Sequence, residues 1–409
     1  MEASTDLQET DVHRAEKSDG LISHLSPLLI LSSIFFINFI ARIILAPLMP
    51  KIEKELCIAH TEAGSLFLLI SIGYFITLLG SGFFSSRLTH RKTIILSSAV
   101  LGVALLGTSF SSGLWGLRIE MLILGMAAGL YLPSGIATLT ATISWRHWGK
   151  AIAIHELAPN LSFVAAPLIS EAILIWYPWR AVFIALGITA LIFALIFARF
   201  GRGGEFHGQA PSYSSFRDIL SKPVFWILVV LFSLGISSTL GLYTMLPLYL
   251  VTEHGMERNW ANTLIALSRV VGVGMALIGG WVTDRIGPKR ILMIVFLLTG
   301  LMTIFIGLAS TSWIAVSVFI QPLLAVCFFP AGLAALSLVS SEKERNIVVS
   351  LTVPIAILIG GGAVPTLIGF IGDISTFAWG IVLIGGLILT GTIFTGYLQL
   401  SNPTKAPEI

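Results

Sequence analysis

The segment Gly280-Trp281-Val282-Thr283-Asp284-Arg285-Ile286-Gly287-Pro288-Lys289-Arg290 decides how this chain is read. It is a tight, charged turn between two long apolar runs. A worn second copy lies 198 residues earlier, Gly82-Phe83-Phe84-Ser85-Ser86-Arg87-Leu88-Thr89-His90-Arg91-Lys92. In it Ser86 stands in place of the aspartate and Thr89 in place of the second glycine. One such turn can arise by chance. Two in corresponding places indicate a duplicated machine.

The runs around these turns are long enough to cross a bilayer, which takes about 20 apolar residues each. Twelve such runs are legible, near 27–49, 62–84, 93–111, 115–141, 150–175, 180–199, 224–250, 260–282, 291–309, 313–338, 347–371 and 376–398. Composition agrees. The chain is 56% hydrophobic and 11% charged, with a mean hydropathy of +0.93, where a soluble protein carries about 25% charged residues. Most of its surface must therefore face lipid. Residues 1–25 are polar, lack the basic start and apolar core of a signal peptide, and are expected to be a disordered tail. Cys57 and Cys327 fall in a loop and in an apolar run, so no disulfide is expected.

Lysine and arginine sort by side. Seventeen lie in the tails and in the loops after even-numbered spans, against five in the opposite loops. The positive-inside rule then puts both termini in the cytoplasm, in a multi-pass protein of the cell (inner) membrane. The long polar break 200–223 divides the chain into a six-helix bundle at 26–199 and another at 224–400, with a tail at 401–409. An offset of 197 or 198 residues recurs between these halves: Pro50 with Pro247, Leu132-Pro133-Ser134-Gly135 with Phe329-Pro330-Ala331-Gly332, and Ala165-Ala166-Pro167 with Ala363-Val364-Pro365. The expected fold is an all-α membrane protein of twelve helices in two pseudo-symmetric bundles, with cargo held between them near the midplane.

The paired turns resemble the loop signature of the major facilitator superfamily of secondary transporters: a glycine, three residues, Asp-Arg, then a glycine and a basic pair. The likeness covers residues 26–400. It implies that Asp284, Arg285 and Arg290 gate the cytoplasmic end of the second half. The first half, lacking the aspartate, would gate with Arg87, Arg91 and Lys92 against helix C-termini, whose partial negative charge favours cations.

Ionisable residues inside spans are costly and mark function or pairing. Arg42 lies about 23 Å along span 1, and Arg269 about 14 Å into span 8 from the opposite face. Each presents a rigid fork matched to a carboxylate, sulfonate or phosphate. Two opposed arginines point to an anionic cargo bridging the halves; the bland alternative is that protein carboxylates neutralise both. Glu156, about 10 Å into span 5, and its neighbour His155 are candidate proton carriers, since a carboxyl group in an apolar bundle can trade protons near neutral pH; the bland alternative is a structural pair with Arg146, Lys150 or another basic group at the inner gate. Tyr131, Asn160, Tyr243 and Gln321 are polar candidates for the cavity wall, Tyr131 being the preferred third ligand, with a core tyrosine whose hydroxyl is satisfied as its alternative. Arg118, Glu120 and Glu171 are placed to form an outer latch. Gly360-Gly361-Gly362 lacks the lysine and the strand context of a phosphate loop and reads as close helix packing or a hinge. No motif for a cofactor, metal, nucleic acid or catalysis is present, so an enzyme is not expected.

Span 1 also resembles the organic anion:cation symporter branch, whose first helix carries Asn-Tyr-x-Asp-Arg; here it reads Asn38-Phe39-Ile40-Ala41-Arg42. The Tyr131-Leu132-Pro133 and Trp148-Gly149-Lys150-Ala151 stretches look similar to that branch too. The resemblance implies that Arg42 contacts an organic anion. With Ala41 replacing the coupling aspartate, Glu156 becomes the candidate coupling group. The expectation is inward symport of a small carboxylate or sulfonate with protons, or with sodium, by a monomer. Alternatives are proton-coupled export of hydrophobic or cationic compounds, a transporter-derived receptor, and transport of inorganic anions.

Overall fold

A computed structural model describes residues 25–209, 218–339 and 342–398 of the chain, with the side chains of 342–346 left aside. The expected tails, apart from Leu25, and residues 210–217 of the expected linker lie outside the described residues. Among the described residues the apolar runs become twelve helical spans: Leu25–Leu56, His60–Leu88, His90–Phe110, Leu114–Thr142, Trp145–Leu174, Arg180–Phe200, Pro223–Thr252, Arg258–Ile286, Pro288–Leu308, Thr311–Val339, Ile347–Ile374 and Phe377–Tyr397. Several run a turn or two beyond the apolar stretch. Span 1, for example, continues through Lys51, Glu53, Lys54 and Glu55, and Glu53 turns to His60 at 2.6 Å.

Each half packs the same way. Span 1 lies on 5, 2 on 4 and 3 on 6; span 7 lies on 11, 8 on 10 and 9 on 12. The breaks repeat too. Span 4 is interrupted at Leu130, three residues before Pro133, and span 10 at Cys327, three residues before Pro330. A proline cannot donate to the carbonyl four residues back, so the ladder opens there. Around the break in span 4, the carbonyls of Met126, Ala127 and Ala128 accept from Thr77 (2.7 Å), Ser97 (2.7 Å) and Asn38 (3.1 Å). Three neighbouring spans thus satisfy backbone groups that lipid could not.

The two charged turns share one backbone conformation. Gly287 has φ 92° and ψ 146°; Thr89 has φ 82° and ψ 156°. That region is nearly glycine-only, so the worn copy keeps the geometry while losing the residue that fits it. The next basic residue has the same task in both halves. Arg91 donates to the carbonyls of Ala198 (3.0 Å) and Gly201 (2.7 Å) at the end of span 6, and Lys289 to those of Gly396 and Leu398 (both 2.8 Å) at the end of span 12. A cation on a helix C-terminus is favourable.

Residues 201–208 then fold back over the worn turn. Gly204 and Phe206 accept from the backbone N–H groups of Arg91 and His90, and Gly208 donates to Ser85. Glu205 lies 3.3 Å from Arg91. The linker therefore brings a carboxylate to the turn that Ser86 left without one.

The halves meet at one end, the end that the lysine and arginine distribution puts outside. Asp373 of span 11 accepts from the backbone N–H groups of His60 (2.9 Å) and Thr61 (2.8 Å) and from the Thr61 hydroxyl, capping span 2 from across the interface. Glu171 of span 5 pairs with Arg258 and accepts from Asn262, both of span 8. Asn262 also donates to Pro47 of span 1 at 3.1 Å. Spans 2 and 11 touch backbone to backbone: a Cβ on Gly369 would fall 2.2 Å from the His60 carbonyl, and one on Gly64 2.6 Å from that of Pro365. Of the residues expected to form an outer latch, Glu171 pairs instead with the second half, and Arg118 pairs with Glu62 of its own half at 3.7 Å. Cys57 and Cys327 are both free, as the sequence implied.

Candidate functional site

Arg42 reaches inward from span 1 and is only 6% exposed. Its guanidinium lies 4.0 Å from the centre of the Tyr74 ring and 5.0 Å from that of Phe39. Arg269 of span 8 is 9% exposed and lies over Phe163 (4.7 Å) and Tyr243 (5.2 Å). One of its terminal nitrogens donates to the Thr239 carbonyl at 3.1 Å. Among the described residues neither arginine has a carboxylate within 4.0 Å, and the Nε of each is buried without a hydrogen-bond partner. Aromatic faces offset part of the cost of burying these charges, yet they leave most donors of both forks free.

The rings join the two sites. Phe39 meets Phe163 edge-on at 5.3 Å, and Phe163 meets Tyr243 at 4.8 Å. The path Arg42, Phe39, Phe163, Arg269 therefore crosses from one half to the other through two aromatic rings. Beside Arg269 a cavity of about 30 Å³ is lined by Asn160 and Phe163 of the first half and by Thr239, Gly272 and Phe329 of the second. A larger hollow of about 550 Å³ lies against the linker, with Arg91, Arg202 and Glu205. No residue of the second half lines it, so it is not the site between the halves.

Span 7 supplies the Thr239 carbonyl because it is irregular there. Ser237–Gly241 form a π-turn, as do Leu358–Ala363 in span 11. Such turns loosen the backbone ladder. The Ser238 carbonyl accepts from Gln321 at 2.9 Å and the Thr239 carbonyl from Arg269. The two turns touch: a Cβ on Gly241 would fall 2.3 Å from the Gly360 carbonyl. The glycine run in span 11 thus serves close packing, as the sequence reading held.

The remaining candidates divide. Asn160 lines the cavity, half-buried, with its amide 3.3 Å from the Glu156 carbonyl. Tyr243 is buried beneath Arg269 and donates to the Phe163 carbonyl at 3.4 Å. Tyr131 and Gln321 have their polar atoms taken up within the protein. Tyr131 is fully buried, its hydroxyl 2.7 Å from the Leu31 carbonyl and 3.0 Å from Nε2 of His155. Gln321 is held by Ser238 and by Thr303 at 3.3 Å. Glu156 presents a half-exposed side chain with Oε1 3.4 Å from Nδ1 of the fully buried His155. Tyr74 is in electrostatic reach of both Arg42 and Glu156.

The expected gate residues are not drawn together. Arg87, Asp284, Arg285 and Arg290 are exposed, Arg285 lies over Trp281 at 4.1 Å, and among the described residues Asp284 has no ion-pair partner within 4.0 Å. Arg91 serves its own half. Sequence reading missed Phe39, Tyr74 and Phe163, which hold the arginines. Only the helical spacing of Phe39 and Arg42 could have signalled one of them.

The family model described as Major Facilitator Superfamily matches residues 31–282 and 259–409. The chain is 25% identical over 318 residues to the probable sulfoacetate transporter of Cupriavidus necator, covering 72% of this chain and 74% of that protein. It is 26% identical over 412 residues to the D-galactonate transporter of Escherichia coli O6:H1, covering 90% and 93%. Among solved structures, a bacterial homolog of the human lysosomal transporter Spinster, inward-facing and occupied, superposes with a TM-score of 0.79 at 16% identity, over 92% of this chain and 98% of that one.

Proposed function

Because the chain belongs to the Major Facilitator Superfamily, we propose that it is a secondary transporter of a small organic anion, a carboxylate or sulfonate, coupled to protons through Glu156 and His155. One observation carries this reading: two buried arginines, one from each half, have free donors and no carboxylate partner. A buried charge left unpaired costs several kcal/mol, and a bound anion is the partner that removes the cost. The names of the relatives, sulfoacetate and galactonate transporters, support the same class. One acidic headgroup meets Arg42 beside Tyr74, and the other end of the molecule meets Arg269, Asn160 and Tyr243. A cationic cargo would meet two like charges, which disfavours export of such compounds.

The test is counterflow in proteoliposomes preloaded with sulfoacetate, D-galactonate or related acids. Saturable exchange of at least one is expected, reduced about 10- to 100-fold in Arg269→Gln, the loss of one charge-assisted contact. Undiminished exchange in that variant, or exchange of no anion by the wild type, overturns the reading.

A further inference from the structure

The contacts of Tyr131 fix where the protons lie in the buried cluster of span 5. A carbonyl carries no proton, so the 2.7 Å contact between the Tyr131 hydroxyl and the Leu31 carbonyl requires Tyr131 to donate. The hydroxyl has one proton and has spent it. The 3.0 Å contact between Nε2 of His155 and the same hydroxyl is therefore N–H donating to oxygen. In a neutral ring this leaves Nδ1 with a lone pair. That lone pair is sealed from solvent, has no hydrogen-bond donor, and faces Oε1 of Glu156 at 3.4 Å. Two acceptors oppose each other unless a proton lies between them.

We propose that His155 and Glu156 form a single proton-binding unit whose occupancy sets the affinity for the anion; this rests on the anion reading above. Binding one proton takes the unit from a net charge of −1 to 0 and turns the opposed acceptors into a hydrogen bond. No other bond changes. Tyr131 is the positioning residue, since its hydroxyl fixes the ring tautomer.

The surroundings connect this unit to the site. Phe35 of span 1 stacks on the imidazole at 4.4 Å. Tyr131 faces the pair from span 4, and Tyr74 from span 2 lies within electrostatic reach of Glu156 and touches Arg42. Span 8 brings Arg269 to Phe163, two turns further along span 5. Span 6 carries its charges at its ends, Arg180 and Arg199, and the short helix opening span 5 carries Arg146 and His147. An ionised Glu156 repels an anion seated at Arg42; a protonated unit does not. Proton and anion each favour the other's binding by the same factor, which is the thermodynamic form of symport.

Two measurements test this on the purified full chain. Infrared difference spectra between about pH 6 and about pH 8 should contain a band from the proton shared by the His155–Glu156 pair that is missing in Glu156→Gln. Tyr131→Phe should retain the band and move its midpoint, an effect a merely structural tyrosine would not have. This arm needs no anion, so it stands apart from the function proposed above. In parallel, binding of D-gluconate or malonate to the wild type should tighten on the order of tenfold over that fall in pH, whereas Glu156→Gln should hold the low-pH affinity throughout. An infrared titration unchanged in Glu156→Gln, or a pH dependence of binding that survives in it, overturns the proposal.

Discussion

Arg42 and Arg269 are held by ring faces and, for Arg269, one carbonyl, with no acidic side chain paired to either. On the function proposed above, this separates their part in binding from their part in stability. Removing one member of a buried ion pair strands the other charge, at about 3–5 kcal/mol; here nothing is stranded. We therefore expect Arg42→Gln and Arg269→Gln to melt, without anion, at or above the wild-type temperature, and to lose the stabilisation that anions give the wild type. Differential scanning fluorimetry in detergent checks both. A large drop in melting temperature would show that each arginine is a structural lock. The burial of both arginines within the spans was legible because a charge in an apolar run stands out. The partners of Tyr131 and Gln321 were not, because a polar residue in such a run can be satisfied by a carbonyl of another helix. The Leu31 and Ser238 carbonyls that take them are placed by tertiary packing and, in span 7, by a π-turn without a sequence marker.

At the scale of elements, the repeat was legible wherever a proline marks it. The breaks before Pro133 and Pro330 follow from a missing N–H. The role of residues 201–208 was hidden, because a glycine-rich linker with one glutamate gives no sign that it will fold back on a turn more than a hundred residues earlier. The shared geometry of Thr89 and Gly287 yields a direct test. Thr89 holds a conformation that costs a β-branched residue about 1–3 kcal/mol. Its hydroxyl recovers little, accepting from Lys92 at a long 3.4 Å. Thr89→Gly should raise stability by about 1–2 kcal/mol in unfolding measurements, and Gly287→Thr should lower it by a similar amount. Opposite signs from the same exchange at two places in one chain would confirm that the duplicated turns are one backbone solution with unequal side chains.

For the whole molecule, the closed end is built from few parts: the Asp373 cap on span 2, the Glu171 cluster with Arg258 and Asn262, and backbone contact at Gly64 and Gly369. At the opposite end Asp284, Arg285 and Arg290 lie exposed. A carrier that alternates must break the first set to close the second. Each hydrogen bond to a charged group is worth about 1.5–3 kcal/mol, so the contacts at Asp373 can set the balance between the two states. Asp373→Asn weakens the cap while keeping its shape, and Gly369→Ala inserts a methyl group where the His60 carbonyl lies 2.2 Å away. Together they should move the population about tenfold or more toward the state open at this end. Spin labels at the exposed Cys57 and at Ser375→Cys, in a Cys327→Ala background, report the separation of the halves there. The double variant should gain a longer-distance population that the unmodified pair lacks. It should also take up thiol reagents faster at cavity positions approached from that end. A distance distribution identical to that of the unmodified pair would mean that the Glu171 cluster alone holds the halves together, and Glu171→Gln would then be the variant that opens them.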